Sequence, residues 1–224
     1  MIRQHLSQWT RAALALGAVA AGVTSSLAVG DQPAYGNGDH RMELTSTAFT
    51  NGNPLPAANI YNYFYPAGST YNICSATGAA GGDLSPQLAW QHAPWNTRSF
   101  VVVLYDTTAA FTHWGMYNIP SYIRMLPGDA GVADSPYGTQ ITNDFGDPHY
   151  DGPCPPAGVA PDVHHYVFTV YALDTDLEVV SASANFPANA ETLYQALIKA
   201  GRDGHILASA ELLALNSGSL PPSN

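Results

Sequence analysis

The sequence predicts a mainly β domain, and three observations predict it. Ser99 to Tyr105, Trp114 to Ile119 and Tyr166 to Leu173 are short apolar runs rich in β-branched and aromatic residues, a composition that fits a pleated, packed surface. Helical periodicity surfaces only near the C-terminus. Between these segments 17 prolines and 20 glycines in 224 residues break the chain into turns and extended pieces.

At the N-terminus, Met1 to Arg11 carries two arginines and no acid, and Ala12 to Val23 is an apolar run of twelve. Ser26-Leu27-Ala28 then sets small residues three and one positions before Val29. This is the layout of a secretory signal peptide over residues 1–28, so a secreted or periplasmic location is expected. The competing reading is a retained anchor; a transmembrane helix wants about 20 apolar residues, whereas this run ends in Thr24-Ser25-Ser26. No later segment could span a bilayer, so no stable membrane insertion is expected.

Residues 29–41, rich in Gly, Asp and Asn, read as a loose entry segment. Met42 to Phe49 alternates apolar and polar in its first half and suits a strand. Pro54, Pro56 and Pro66 stand among Tyr61, Tyr63 and Tyr65, which favours extended chain over helix. Cys74 to Pro86 is a glycine-rich loop, followed by the three strand candidates. Pro120 to Pro161 is too long for an ordinary connector, and its Tyr, Phe and Cys content points to an ordered functional loop. Asn189 can cap a helix on which Leu193, Ala196, Leu197 and Ala200 share a face, with Gly201 to end it. His205 to Leu215 suits an amphipathic helix as well as a buried strand. With no internal repeat or linker, residues 42–216 form one domain and 217–224 a flexible tail.

Composition excludes several functions. Lys+Arg number 7 against 17 Asp+Glu, a formal charge of −10; cleavage after Ala28 removes Arg3 and Arg11 and makes it 5 − 17 = −12. With Lys199 the only lysine, no basic stripe can form for nucleic acid, nor a polybasic patch for an anionic membrane. An apolar fraction of 46% with 13 Tyr, 7 Phe and 4 Trp is too hydrophobic for a disordered chain. Cys74 and Cys154, an even pair in an exported chain, read as one disulfide, which closes a long loop and stabilises by about 4 kcal/mol. The alternative, a catalytic cysteine, finds no lysine or arginine near Cys154 in Gly152-Pro153-Cys154-Pro155-Pro156.

No nucleophile elbow, phosphate loop, dinucleotide fingerprint or zinc-protease motif is present. What remains is polar chemistry at strand ends. Asp106 directly follows the valine-rich strand, His113 precedes the Trp114 strand and His164 precedes the Tyr166 strand. If these strands are neighbours, an aspartate and two histidines converge at the sheet's mouth beside the Pro/Gly-rich loop. For any one histidine, a structural hydrogen-bonding role is the alternative.

A series of motifs then runs in order along the chain: Leu84-Ser85-Pro86-Gln87-Leu88-Ala89-Trp90, Ala93-Pro94, Ser99-Phe100-Val101-Val102-Val103, His113-Trp114 with Tyr117-Asn118-Ile119-Pro120, and Asn143-Asp144-Phe145-Gly146. It continues with Tyr150-Asp151-Gly152-Pro153-Cys154-Pro155-Pro156, His164-His165-Tyr166-Val167-Phe168 and Tyr171-Ala172-Leu173-Asp174. Together these resemble the phosphatidylethanolamine-binding protein family, in its bacterial Raf kinase inhibitor-like branch, from about Met42 to Leu215. The resemblance implies a β-sandwich with a large antiparallel sheet, a smaller second sheet and a short C-terminal helix. It also implies that His205 to Leu215 is the final strand.

The resemblance further implies a small pocket for phosphate, phosphoethanolamine or a similar anion. Its acid is Asp106, its histidines are His113 and His164, its wall comes from Tyr150, Gly152, Pro153 and Pro156, and Tyr166 lies nearby. Tyrosine hydroxyls, imidazole N–H groups and the amides of the Gly152 turn can donate to such an anion, while Asp106 orients a histidine or accepts from an ammonium.

Three departures stand out. The family's usual Asp-Pro-Asp-Ala-Pro reads Asp106-Thr107-Thr108-Ala109-Ala110, losing a charge and rigidity at the rim, and the arginine after the pocket histidine is His165. The last strand also lacks the expected tyrosine. The expected function is binding without turnover, with no cofactor and no metal. The alternatives are a protease inhibitor or other protein-interaction role, including a homodimer, and a hydrolase in which Asp106 holds His113 or His164 as general base.

Overall fold

The computed structural model describes residues 41–181, 183 and 187–222. The signal peptide expected at 1–28, and the entry segment up to residue 40, lie outside the described residues. Chain order runs β1 (Glu43–Thr45), β2 (Leu88–Gln91), β3 (Ser99–Asp106), β4 (Phe111–Pro120), β5 (Met125–Leu126), β6 (Thr139–Gln140), β7 (Val163–Leu173), α1 (Ala190–Arg202) and β8 (Ile206–Ser217).

Every pairing between these strands is antiparallel. A small sheet has the order β1-β2-β5, and a large one the order β6-β4-β3-β7-β8. The expected sandwich of a large and a smaller sheet with one C-terminal helix is therefore present.

The continuous valine run of β3 is explained by burial on both faces. Phe100, Val102 and Leu104 point into the core shared with Leu44, Leu88, Trp90 and Leu126 of the small sheet. Val101 and Val103 point the other way, against Leu193, Leu197 and Ala200 of α1. Asn189 caps that helix reciprocally with Thr192, as the sequence predicts. The helix runs past Gly201 to Arg202, and the chain turns at Gly204, whose φ of +79° favours glycine.

Several boundaries differ from expectation, and the shifts matter for the site. β4 begins at Phe111 and β7 at Val163, so His113 and His164 lie inside their strands rather than before them. β4 extends that far because β3 supplies partners up to Asp106, opposite Phe111, and β7 because β8 pairs with it back to Val163, opposite Ser217. His205 to Leu215 is resolved as strand: β8 pairs with β7 along almost its whole length. Within Pro120 to Pro161 only β5 and β6 are regular among the described strands, and backbone and side-chain hydrogen bonds hold the rest in place. Cys74 and Cys154 are joined by a disulfide, which ties that loop to the glycine-rich one.

Candidate functional site

Asp106, His164 and Tyr166 share one face of the large sheet because alternate residues of a strand point the same way. Asp106 continues the row of Phe100, Val102 and Leu104, and His164 and Tyr166 continue that of Phe168, Val170 and Ala172. The polar group thus sits at the open end of the inter-sheet core. His113 joins it through a β-bulge: Leu104 opposes Trp114 and Tyr105 opposes Thr112, which leaves His113 as the extra residue.

Asp106 is 2% exposed and its carboxylate is fully engaged. Oδ1 accepts from the amides of Thr108 (2.8 Å) and Ala109 (3.0 Å), and Oδ2 accepts from His164 Nδ1 at 2.6 Å. The carboxylate therefore fixes the proton on Nδ1 and leaves Nε2 as the outward atom of His164.

The same contacts show what replaced the prolines at the rim. Thr107 N and Thr108 Oγ1 exchange hydrogen bonds with the backbone of His165, at 2.9 and 3.0 Å, so the turn is fastened to β7 by threonine. His165 itself is exposed on the opposite face from buried His164, as strand alternation predicts.

His113 is seated differently. Its Nδ1 lies 3.0 Å from the carbonyl of Asp151 and 3.1 Å from that of Gly152. Carbonyls only accept, so Nδ1 carries the proton and Nε2 is a bare acceptor in the neutral ring. Burial pushes its pKa down to about 4, against the opposing pull of the Asp106 charge and the two carbonyls. His113 is therefore neutral near pH 7, and it receives a proton from a ligand rather than donating one.

The ring of His113 lies among Phe111, Phe145 and Tyr166, at centroid distances of 5.0, 5.4 and 5.1 Å. Tyr61 stacks on the far side of Phe145. Tyr166 lies edge-on to His113 and nearly parallel to His164. Its hydroxyl is buried beside the Asp106 carboxylate and the Cys154 backbone without the geometry of a hydrogen bond to either. Burial, then the Asp106 charge, push its pKa far up, so this hydroxyl keeps its proton and stands as an unused donor.

Other donors expected from the sequence are already spent. The Tyr150 hydroxyl donates to Asn59 O at 2.8 Å, and the Gly152 amide donates to Asp83 Oδ1 at 2.7 Å. Neither is free for an anion. Gly152 is instead a close-approach residue, since a Cβ there would lie 2.2 Å from Asn59 O. With Pro153 and Pro156 it shapes the loop whose carbonyls hold His113. Tyr150 lines a separate cleft of about 260 Å³ with Asp83, Ser85, Asp129 and His149; Asp106, His113 and His164 do not line it.

Two supporting residues escape sequence reasoning. Asn143 Nδ2 donates to the carbonyls of His113 and His149 and to Asp151 Oδ2, and its Oδ1 accepts from the amides of Phe145, Gly146 and Asp147. Asp83 anchors Gly152, as above. Asn143 opens the Asn143-Asp144-Phe145-Gly146 motif and Asp83 directly precedes the Leu84-Ser85-Pro86 one, a signal that could have found them.

Acidification tests the seating of His113. Its ordinary pKa of 6.5 falls to about 4 on folding, so the unfolded chain takes up the proton first and stability is lost as pH falls through that interval. Asp83 acts oppositely: burial and the nearby Asp151 raise it from 3.8 to about 6, so folding gains as pH falls through 6. Asp83→Asn keeps the acceptor for Gly152 but removes this compensation. Urea unfolding at pH 7 and 4.5 is expected to show a steeper acid loss in Asp83→Asn than in the natural chain. Equal losses would contradict the assignment.

Residues 45–216 match the family model described as phosphatidylethanolamine-binding protein. The chain is 33% identical over 183 residues to the UPF0098 protein YbhB of Escherichia coli, spanning 79% of this chain and 100% of that protein. With the UPF0098 protein YbcL of the same organism it shares 40% identity over 125 residues, 52% of this chain and 67% of that one. The crystal structure of Escherichia coli YbcL, presented as a new member of the mammalian PEBP family, is similar with a TM-score of 0.61 at 28% identity, over 80% of this chain and 99% of that one. A Chlamydia trachomatis homologue gives a TM-score of 0.57 at 28% identity, over 80% and 99% of the two chains.

Proposed function

Because the chain belongs to the phosphatidylethanolamine-binding protein family, we propose that it is an exported binding protein that holds phosphate or a phosphorylated head group such as phosphoethanolamine, without turnover, at His113, His164 and Tyr166. Asp106 positions His164 from behind. The observation that carries this reading is the Tyr166 hydroxyl, a buried donor with no hydrogen-bond partner between two imidazoles that each keep Nε2 free. Buried polar groups are rarely left unpaired, and one at the end of a core face is a natural place for a ligand atom.

The donor set favours a phosphate monoanion. Its oxygens accept from Tyr166, while its remaining hydroxyl donates to His113 Nε2; a phosphomonoester loses that proton near a pKa of about 6. An ethanolamine ammonium has the aromatic walls of Phe111 and Phe145 beside it.

Tyr166→Phe separates this role from a structural one. Removing a hydroxyl that makes no hydrogen bond costs little stability, and relieves a buried unsatisfied donor. Calorimetric titration with phosphoethanolamine is expected to show affinity lowered about tenfold, the worth of one hydrogen bond to a charged group, with an unchanged melting temperature. Unchanged affinity in a folded Tyr166→Phe chain would overturn the reading.

A further inference from the structure

The segment from Asn143 to Gly152 carries a second group of side chains, which the anion site does not use. Asp147, His149 and Asp151 each present a donor atom, and the three atoms lie within 4.8 Å of one another. Their alternate spacing in a loop held by Asn143 brings them together.

Asp151 is the member that asks for a partner. Its side chain is 2% exposed. Oδ2 accepts from Asn143 Nδ2 at 2.5 Å. Oδ1 accepts no hydrogen bond among the described residues; it faces His149 Nε2 at 3.5 Å. With Oδ2 held by Asn143, Oδ1 is the carboxylate atom left to meet a cation, beside the His149 imidazole.

Three of the described cations are placed elsewhere. Arg98 pairs with Asp176, Lys199 with Asp203, and Arg124 lies over the Phe100 ring. Asp83, close enough to feel Asp147 and Asp151, adds negative charge to the same neighbourhood.

We propose that Asp147, His149 and Asp151 form a binding site for a divalent metal ion of the Zn²⁺ class. One imidazole and two carboxylates suit such an ion. Bonds of about 2.1 Å in tetrahedral array set neighbouring donors about 3.4 Å apart, and the His149–Asp151 pair already stands at 3.5 Å. Asp147 and His149 are partly exposed, which provides the entry path and leaves a fourth position to water. The ion is structural in role. Asp151 offers its side chain to the metal and its own carbonyl to His113 Nδ1, so the metal clamps the loop that seats the imidazole.

The test is calorimetric titration of the metal-stripped chain with Zn²⁺ in phosphate-free buffer, repeated with His149→Ala, Asp147→Asn and two controls, His165→Ala and His205→Ala. Melting curves without metal establish that each variant folds; the two ligand positions are partly exposed, so the folds are expected to hold. One equivalent is expected to bind with micromolar affinity, weakened about tenfold or more by either ligand change and unaltered by the controls. Co²⁺ in place of Zn²⁺ is expected to give visible absorption that His149→Ala abolishes. Failure of Zn²⁺ to saturate the natural chain at millimolar concentration, or equal binding by folded His149→Ala, would overturn the proposal. Phosphoethanolamine binding is scored separately, because the anion site uses none of the three ligand side chains.

Discussion

Asp106→Ala is expected to lower unfolding stability by about 3–5 kcal/mol, because buried donors left without an acceptor cost about 1–3 kcal/mol each. Three donors lose their acceptor at once: His164 Nδ1 and the amides of Thr108 and Ala109. Asp106→Asn discriminates among them. Its amide oxygen can still serve the two backbone amides, so the turn survives. Its NH₂ group, however, faces His164 Nδ1 and forces that imidazole to keep its proton on Nε2. Urea unfolding is expected to rank natural chain, Asp106→Asn and Asp106→Ala in falling order, and ¹⁵N spectra of His164 to show the tautomer reversed in Asp106→Asn. A stability loss below about 1 kcal/mol in Asp106→Ala would mean that the pair is not the buried anchor described.

Opening the disulfide is expected to have a similar effect by a different route. Cys74 and Cys154 are 80 residues apart in sequence, and releasing a loop of that length costs about 4 kcal/mol in the loop-closure picture. For a domain of this size that corresponds to a melting temperature lower by roughly 10 °C. The Cys74→Ala/Cys154→Ala chain, or the natural chain under strong reductant, should show it. The second consequence is local. Cys154 follows Gly152 by two residues, and the Asp151 and Gly152 carbonyls hold His113, so phosphate affinity should fall alongside stability. A melting temperature changed by less than about 3 °C would contradict this.

The legible part of this protein was whatever depends on period and parity. β3 reads as a doubly buried strand from its uninterrupted valines, and strand alternation separates His164 from His165. Asp106, His113 and His164 were visible as polar residues beside apolar runs, and the structure brings Asp106 and His164 into contact while Tyr166 joins both histidines. Strand ends were less legible, because pairing to β3 recruits Phe111 to His113, and pairing to β8 recruits Val163 to His165, whatever their own propensity.

Hydrogen-bond allocation was not legible at all. The Tyr150 hydroxyl and Gly152 amide look like anion donors in a one-dimensional list. Asn59 and Asp83, far away in sequence, have already taken them. The role of His113 reverses for the same reason: two carbonyls supplied by the 151–152 peptide region, not the residue type, make it an acceptor. Nor were the bonds legible by which Thr107 and Thr108 fasten the rim to β7.

The central claim is that the phosphate group sits between His113, His164 and Tyr166, not in the cleft beside Tyr150. The direct measurement is a ¹⁵N-imidazole NMR titration of the full chain with phosphoethanolamine at pH 6. The account predicts saturable shifts of Nε2 in His113 and His164, with His113 Nδ1 retaining the signature of a bound proton and His149, which lines the other cleft, unmoved. Shifts confined to His149, or none at millimolar ligand, would contradict it.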